Sequence, residues 1–225
     1  MNNDKKISAS IMCADLMNLQ RDIEVLEKSG VDFLHLDVMD GSFVPNITLG
    51  FDICNAVGEI SDIKRDIHFL LENPTIFIDR LNLKKGEMLS VHFETDSNLK
   101  LLSKLVRAKG AKFGVALNPE TPITVVGDYI KDLDFVLLMM IKPGFAGMKK
   151  EDGMIEKIAA MREYLTSLGK EDMPIEVDGN VSFKNAKAMS QASGNIFVAG
   201  SSSIFSKKDT LENCIDLLKK SISIG

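Results

Sequence analysis

The chain has only three histidines, His35, His68 and His92, and each lies in an apolar run. The first falls in Phe33-Leu34-His35-Leu36-Asp37-Val38-Met39-Asp40-Gly41, which reads as a buried strand. Residues two apart in a strand point to one side, so His35 and Asp37 project together. Burying an imidazole beside a carboxylate is costly unless something pairs with them: a metal ion, each other, or a substrate. His-x-Asp alone favours a structural hydrogen bond. His68 and Asp178 lie in two other apolar runs, and with His35 and Asp37 they offer two imidazoles and two carboxylates from three strands. That set suits a divalent metal such as zinc, iron, manganese or cobalt, and ligand type does not choose among these. A buried salt-bridge cluster is the competing reading.

The elements that must position these groups alternate along the chain. Strand patterns cover Lys6–Met12, Val31–Met39, Ile63–Leu71, Met88–Glu94, Lys112–Asn118, Phe135–Ile141, Pro174–Asp178 and Asn195–Gly200. Between them lie segments of helical period. Leu16, Leu19, Ile23 and Leu26 share a face of a helix from Leu16 to Ser29, which Gly30 stops. Leu211, Cys214, Ile215 and Leu218 line another from Thr210 to Ser221. Thr121-Pro122 predicts an N-cap and first turn between the fifth and sixth strands. Apolar strands separated by helices imply a parallel sheet under a helical cover. Eight such units in 225 residues predict an α/β fold, one (β/α)8 TIM barrel forming a single domain over 1–225. Neither GxGxxG nor GxxxxGK[ST] occurs, so the nucleotide-binding alternatives lack their signature.

The C-terminal strand ends of such a barrel form its active face. Polar residues available there are Ser8, Ser10, His35, Asp37, Asp40, His68, His92, Glu94, Asn118, Glu176 and Asp178. Glycine loops follow the last three strands: Pro143-Gly144-Phe145-Ala146-Gly147, Gly179-Asn180 and Gly200-Ser201-Ser202-Ser203. Backbone N–H groups in such turns cradle a phosphate, and three adjacent loops favour that use over mere chain reversal. A net charge of −5 without a basic tract argues against nucleic acid, and no apolar stretch reaches membrane-spanning length. Met1-Asn2-Asn3-Asp4-Lys5-Lys6 lacks the apolar core of a signal peptide. Cys13, Cys54 and Cys214, odd in number and far apart, read as reduced thiols of a cytoplasmic protein.

Several longer stretches occur in order: Ser8-Ala9-Ser10-Ile11-Met12-Cys13-Ala14-Asp15, His35-Leu36-Asp37-Val38-Met39-Asp40-Gly41-Ser42-Phe43-Val44-Pro45-Asn46, Asp66-Ile67-His68 and Val91-His92. Leu117-Asn118-Pro119-Glu120-Thr121-Pro122, the Pro143–Gly147 loop, Glu176-Val177-Asp178-Gly179 and Val198-Ala199-Gly200-Ser201 follow. Through them the sequence resembles the ribulose-phosphate 3-epimerase family along nearly its whole length. The resemblance implies a (β/α)8 barrel that epimerises a small-molecule ketose phosphate with one divalent metal ion and no organic cofactor. His35, Asp37, His68 and Asp178 match the metal ligands, and Asp37 and Asp178 the acid–base pair. Ser10, His68, Gly144, Phe145, Ala146, Gly147, Gly179, Asn180, Gly200 and Ser201 match substrate-contacting positions. Met39 and Met139 match methionines lining the pocket. Relatives are often dimers or hexamers, so a homo-oligomer is implied.

Inverting a carbon next to a carbonyl requires a proton to leave one face and another to arrive on the opposite face. Two acid–base groups must flank a planar enediolate, one ionised and the other protonated at the start, so their titrations are coupled. A metal at the neighbouring oxygens stabilises the developing charge. Departures from the family pattern bear on the substrate: Lys142 replaces Asn, Asp or Glu, Met140 a common Thr, Met148 a Gln, Phe69-Leu70 a Leu-Met pair and Ala9 a Pro. Lys142 by itself reads as a solvated loop lysine. Met12-Cys13 and Gly144-Phe145-Ala146-Gly147 also resemble the allulose-6-phosphate 3-epimerase branch, which tilts the expectation to D-allulose 6-phosphate and D-fructose 6-phosphate. The alternative is D-ribulose 5-phosphate to D-xylulose 5-phosphate. A barrel sugar-phosphate lyase or decarboxylase would want a lysine beside Asp37, and none is there. A non-catalytic sugar-phosphate binder would lack a ligand or an acid, and none is missing.

Overall fold

The computed structural model describes residues 4–95 and 98–223, so Met1-Asn2-Asn3 of the N-terminal stretch lies outside the described residues. Eight parallel strands close on themselves in chain order. They are β1 (Lys6–Ser10), β2 (Phe33–Met39), β3 (Lys64–Leu70), β4 (Met88–His92), β5 (Lys112–Leu117), β6 (Phe135–Met139), β7 (Ile175–Asp178) and β8 (Ile196–Ala199). β8 pairs with β1 to complete the barrel. Each strand is shorter than its apolar run: β1, β4, β5 and β6 lose residues to the loop that leaves the barrel mouth, β2 and β7 at the opposite end, and β3 and β8 at both.

Six α-helices are seen among the described residues: α1 (Leu19–Lys28), α2 (Phe51–Ile60), α3 (Leu99–Ala108), α4 (Met154–Ser167), α5 (Phe183–Gln191) and α6 (Leu211–Ser223). After β3 and β5 the crossover is a 3-10 segment instead, Pro74–Arg80 and Ile123–Tyr129. Both open at a proline and are rich in β-branched residues, and the second holds Gly127, a composition that disfavours α-helix. Pro122, not Thr121, occupies the cap of that segment, which has no side-chain capping bond. The first helix also starts later than its pattern suggests. Leu16 lies on a separate 3-10 turn and is 54% exposed, while Ile23 and Leu26 are buried as expected.

Alternation along the strands separates two environments. Leu34, Leu36, Ile67, Phe69, Val91 and Val177 belong to the large apolar core shared with the helices. Phe33, Met88, Phe135, Leu137 and Ile196 form a second, smaller cluster. Gly114 makes room for it, since a Cβ there would lie 2.4 Å from Phe135 Cζ. Above this cluster the barrel interior becomes polar. Among the described residues no helix is long and apolar enough to cross a membrane.

One charged group crosses into the helix layer fully buried. Arg65 donates through Nε and Nη2 to the two Glu87 carboxylate oxygens at 2.6 and 2.7 Å, through Nη1 to the Cys54 carbonyl, and through Nη2 to the Asn82 carbonyl. The fork joins α2, β3 and the approach to β4. Removing one partner strands the other charge in the core, so Glu87→Ala is expected to lower the unfolding free energy by about 3–5 kcal/mol. Urea unfolding followed by circular dichroism measures this, and a loss under about 1 kcal/mol would contradict the assignment.

Candidate active site

The register of β2 against β3 sets His35 beside Asp66 and Asp37 beside His68. Asp178 ends β7 opposite Met139 of β6. Asp37 Oδ1 lies 3.2 Å from both His35 Nε2 and His68 Nδ1. Asp178 Oδ2 lies 3.9 Å from the former nitrogen and 3.8 Å from the latter. One ligand atom from each of His35, Asp37, His68 and Asp178 falls within 4.8 Å of the others, so this cluster could hold a metal ion.

The hydrogen bonds around the cluster test whether a cation fits. Asp66 Oδ2 accepts from His35 Nδ1 at 2.7 Å and from the Ser8 hydroxyl at 2.7 Å. His35 therefore turns Nε2 toward the two aspartates as a bare lone pair in its neutral form. That lone pair faces the carboxylate oxygens of Asp37 and Asp178 with no donor of its own, an arrangement that a divalent cation satisfies. Without a cation, burial opposes charge on His35, but Asp37 and Asp66 outweigh it and hold the ring pKa well above the ordinary value.

The two aspartates are driven apart. Burial opposes ionisation of Asp37, yet the adjoining His35 and His68 rings hold its carboxyl below the usual range. Burial, then the negative charge of Asp37, pushes Asp178 up to about 7. Deeper in the barrel, burial and the Asp66 charge push Glu176 well above its ordinary value. Neither Glu176 oxygen nor Asp66 Oδ1 has a partner when both groups are carboxylates. A proton on Glu176 supplies the donor that this pair lacks.

Above the cluster lies a cavity open to solvent. Ser10, Asp37, Met39, Met139, Gly144, Phe145, Ala146, Gly147, Asp178, Gly179, Asn180, Gly200 and Ser201 all line it. His35 and His68 are fully buried beneath. Gly179 has φ +112°, and a Cβ there would sit 2.6 Å from Ile141 Cγ1, so only glycine lets the β7 loop lie against β6. Gly144 has φ +118° and its carbonyl accepts from Asn46 Nδ2 at 2.7 Å, which ties the β6 loop to the β2 loop.

Asn180 reaches the cavity with its side chain already committed. Its Nδ2 donates to the Met148 carbonyl and its Oδ1 accepts from Asn185, both at 2.7 Å, so it ties the β7 loop to the β6 loop. Asp40 is a turn residue: Oδ1 accepts from the Ser42 and Phe43 backbone and Oδ2 from Glu72. Lys142 is exposed and outside the lining, and Met148 is half exposed.

Sequence reasoning missed the part played by Asp66, although its spacing two before His68 puts both on one strand face. It also missed Met12, Cys13, Leu70 and Ile141 in the cavity wall. His92 and Glu94 are drawn into the same network. His68 Nε2 lies 3.0 Å from His92 Nε2, and His92 Nδ1 lies 3.0 Å from Glu94 Oε2. Burial pulls His92 down to about 4, while bonds from His92, Thr121 and Asn118 override burial and bring Glu94 down to about 2.

A parallel barrel with paired carboxylates and room for a cation at the strand C-termini, flanked by three glycine loops, defines a (β/α)8-barrel enzyme. The pattern of the ribulose-phosphate 3 epimerase family matches residues 6–205, and the chain belongs to that family. It is thereby an epimerase of the isomerase class. It is 41% identical over 196 residues to the ribulose-phosphate 3-epimerase of Bacillus subtilis (strain 168), covering 87% of this chain and 90% of that one. Identity is 39% over 206 residues to the ribulose-phosphate 3-epimerase of Chlamydia muridarum (strain MoPn / Nigg), covering 91% and 90%. Among solved structures, Mycobacterium tuberculosis tryptophan synthase matches with a TM-score of 0.67 over 100% of this chain and 95% of that chain at 11% identity, a likeness of fold alone.

The raised Asp178 pKa has a consequence for stability. Its carboxyl binds a proton more tightly in the folded chain, at about 7 against an ordinary 3.8. The stability this contributes to metal-free protein is fully present below about 4 and is lost as pH rises through about 7. Asp178→Asn removes that loss. Metal-free Asp178→Asn is expected to be more stable than wild type at pH 8, with the gap closing toward pH 4, as measured by urea unfolding across that range. A gap that widens toward acid would contradict the assignment.

Proposed function

We propose that this protein inverts C3 of a ketose phosphate by two-base proton transfer, with D-ribulose 5-phosphate and D-xylulose 5-phosphate as its substrate pair. The observation that carries the proposal is the close pairing of Asp37 and Asp178 with opposite protonation preferences. Asp37, ionised, takes the C3 proton from one face of the sugar. Asp178, protonated, returns one to the other face, and the reverse reaction exchanges their roles. His35, Asp37, His68 and Asp178 would hold the divalent cation, which supplies electrostatic stabilisation for the oxygens of the enediolate. Zinc, iron, manganese and cobalt all suit this nitrogen–oxygen set.

The remaining groups follow from the shape of the site. Met39 and Met139 give the reacting carbon a dry, polarisable wall. Backbone N–H groups of the Gly144–Gly147, Gly179-Asn180 and Gly200-Ser201 loops take the phosphate, with Ser10 close to Asp37. Three free cysteines fit a reducing, cytoplasmic setting. No lysine lines the cavity among the described residues, which weighs against a lyase or decarboxylase reading.

The pentulose assignment rests on the relatives, which are named for ribulose phosphate. The tilt toward a hexulose phosphate drawn from Met12-Cys13 and the Gly144–Gly147 loop finds no support among them. Asp37→Asn and Asp178→Asn are each expected to reduce turnover between about 100- and 10,000-fold, together with loss of C3 proton exchange in deuterated water. Near-wild-type turnover in either variant would overturn the two-base reading. Comparing kcat/KM on ribulose 5-phosphate and allulose 6-phosphate tests the substrate. A higher value on the hexulose overturns the pentulose assignment and leaves the acid–base chemistry standing.

A further inference from the structure

We propose that Glu94 is a positioning residue that acts through His92 to hold His68 in the tautomer whose Nδ1 is free to bind the cation. The inference rests on the metal reading given under Proposed function.

The argument is one of hydrogen-bond polarity. Glu94 Oε1 accepts from the Asn118 backbone N–H at 2.8 Å and from the Thr121 hydroxyl. Lys157 fixes that turn by donating to the carbonyls of Asn118, Pro119 and Thr121 at 2.8, 2.8 and 2.7 Å. One carboxylate oxygen is thus anchored and the other, Oε2, faces His92 Nδ1 at 3.0 Å. A carboxylate only accepts, so the His92 proton sits on Nδ1 and its Nε2 is a lone pair. That lone pair faces His68 Nε2 at 3.0 Å, and a hydrogen bond there requires the proton to belong to His68 Nε2. His68 Nδ1 then faces Asp37 Oδ1 at 3.2 Å and Asp178 Oδ2 at 3.8 Å, and a cation between them would take the place of the proton that Asp37 otherwise accepts from this nitrogen. The rings of His68 and His92 are stacked with centroids 5.0 Å apart, and Phe43 lies against His92 at 4.7 Å, so neither ring turns freely. His35 reaches the same cluster through its other nitrogen, Nε2, because Asp66 takes its Nδ1 proton.

Glu94→Gln reverses this chain without changing its shape. The glutamine oxygen stays on the Asn118 N–H, the NH₂ group turns to His92 Nδ1, and each proton in the relay shifts to the opposite nitrogen. His68 then carries its proton on Nδ1, where the cation would bind. Glu94→Ala only releases the chain. The zinc dissociation constant, measured by chelator competition on metal-stripped full-length protein, is expected to rise about 100-fold in Glu94→Gln and about 10-fold in Glu94→Ala. A merely structural role predicts the opposite order, with the near-isosteric glutamine close to wild type. Nitrogen-15 NMR of zinc-loaded wild type is expected to show His92 protonated at Nδ1 and His68 at Nε2, a readout that needs no substituted protein. Equal zinc affinity in wild type and both variants, the reverse order of the variants, or a zinc-loaded wild-type His92 protonated at Nε2 each overturns this inference alone. Wild type that takes up no zinc, iron, manganese or cobalt overturns the metal reading and this inference with it.

Discussion

In the parallel pairing of β2 with β3, His35 is fixed beside Asp66 and Asp37 beside His68. Side chains alternate across a strand, so a slip of one residue would send these groups to the helix side and bring Leu34, Leu36, Ile67 and Phe69 into the barrel mouth. The apolar residues of the helix-facing layer therefore do more than stabilise the fold. Their burial selects the one register in which two rings and an aspartate can share a point, and β7 adds Asp178 from across the barrel.

The barrel holds charge in two different ways. Arg65 and Glu87 neutralise each other, and backbone carbonyls accept from two further guanidinium N–H groups, so every guanidinium nitrogen has a partner within the protein. The mouth is not complete in this sense. Asp37, Asp66, Glu176 and Asp178 crowd about His35 with more acceptors than donors. The deficit is met partly by protons on Glu176 and Asp178, whose affinities burial and neighbouring charge raise. A cation at the outer cluster would meet the rest. On the proposed two-base reading, the same imbalance that costs stability would prepare one carboxylate to accept a proton and the other to give one.

The glycine loops add a different kind of order. The side chains that looked polar and available there are partly used for architecture: Asn180 ties the β6 and β7 loops, and Asn46 ties the β2 loop to Gly144. The three glycine loops line the cavity together with Met39 and Met139, and on the proposed reading the loops would hold the phosphate and the methionines would keep the reacting side dry.

The sequence by itself determined the strand–helix alternation, the burial of His35 and Asp37 on one strand face, and the glycine turns, because periodicity and φ preference are local properties. The residues of the four-membered cluster were legible for the same reason: each is a polar group at an inward position of an apolar run. Local pattern did not reveal that the crossovers after β3 and β5 are 3-10 segments, nor that Thr121 serves Glu94 instead of capping a helix. Only the closed barrel decided which ring nitrogen each histidine turns inward. That choice depends on Asp66, His92 and Glu94 reaching the rings from neighbouring strands, and hydrogen-bond polarity passed between strands leaves no period in the chain to read.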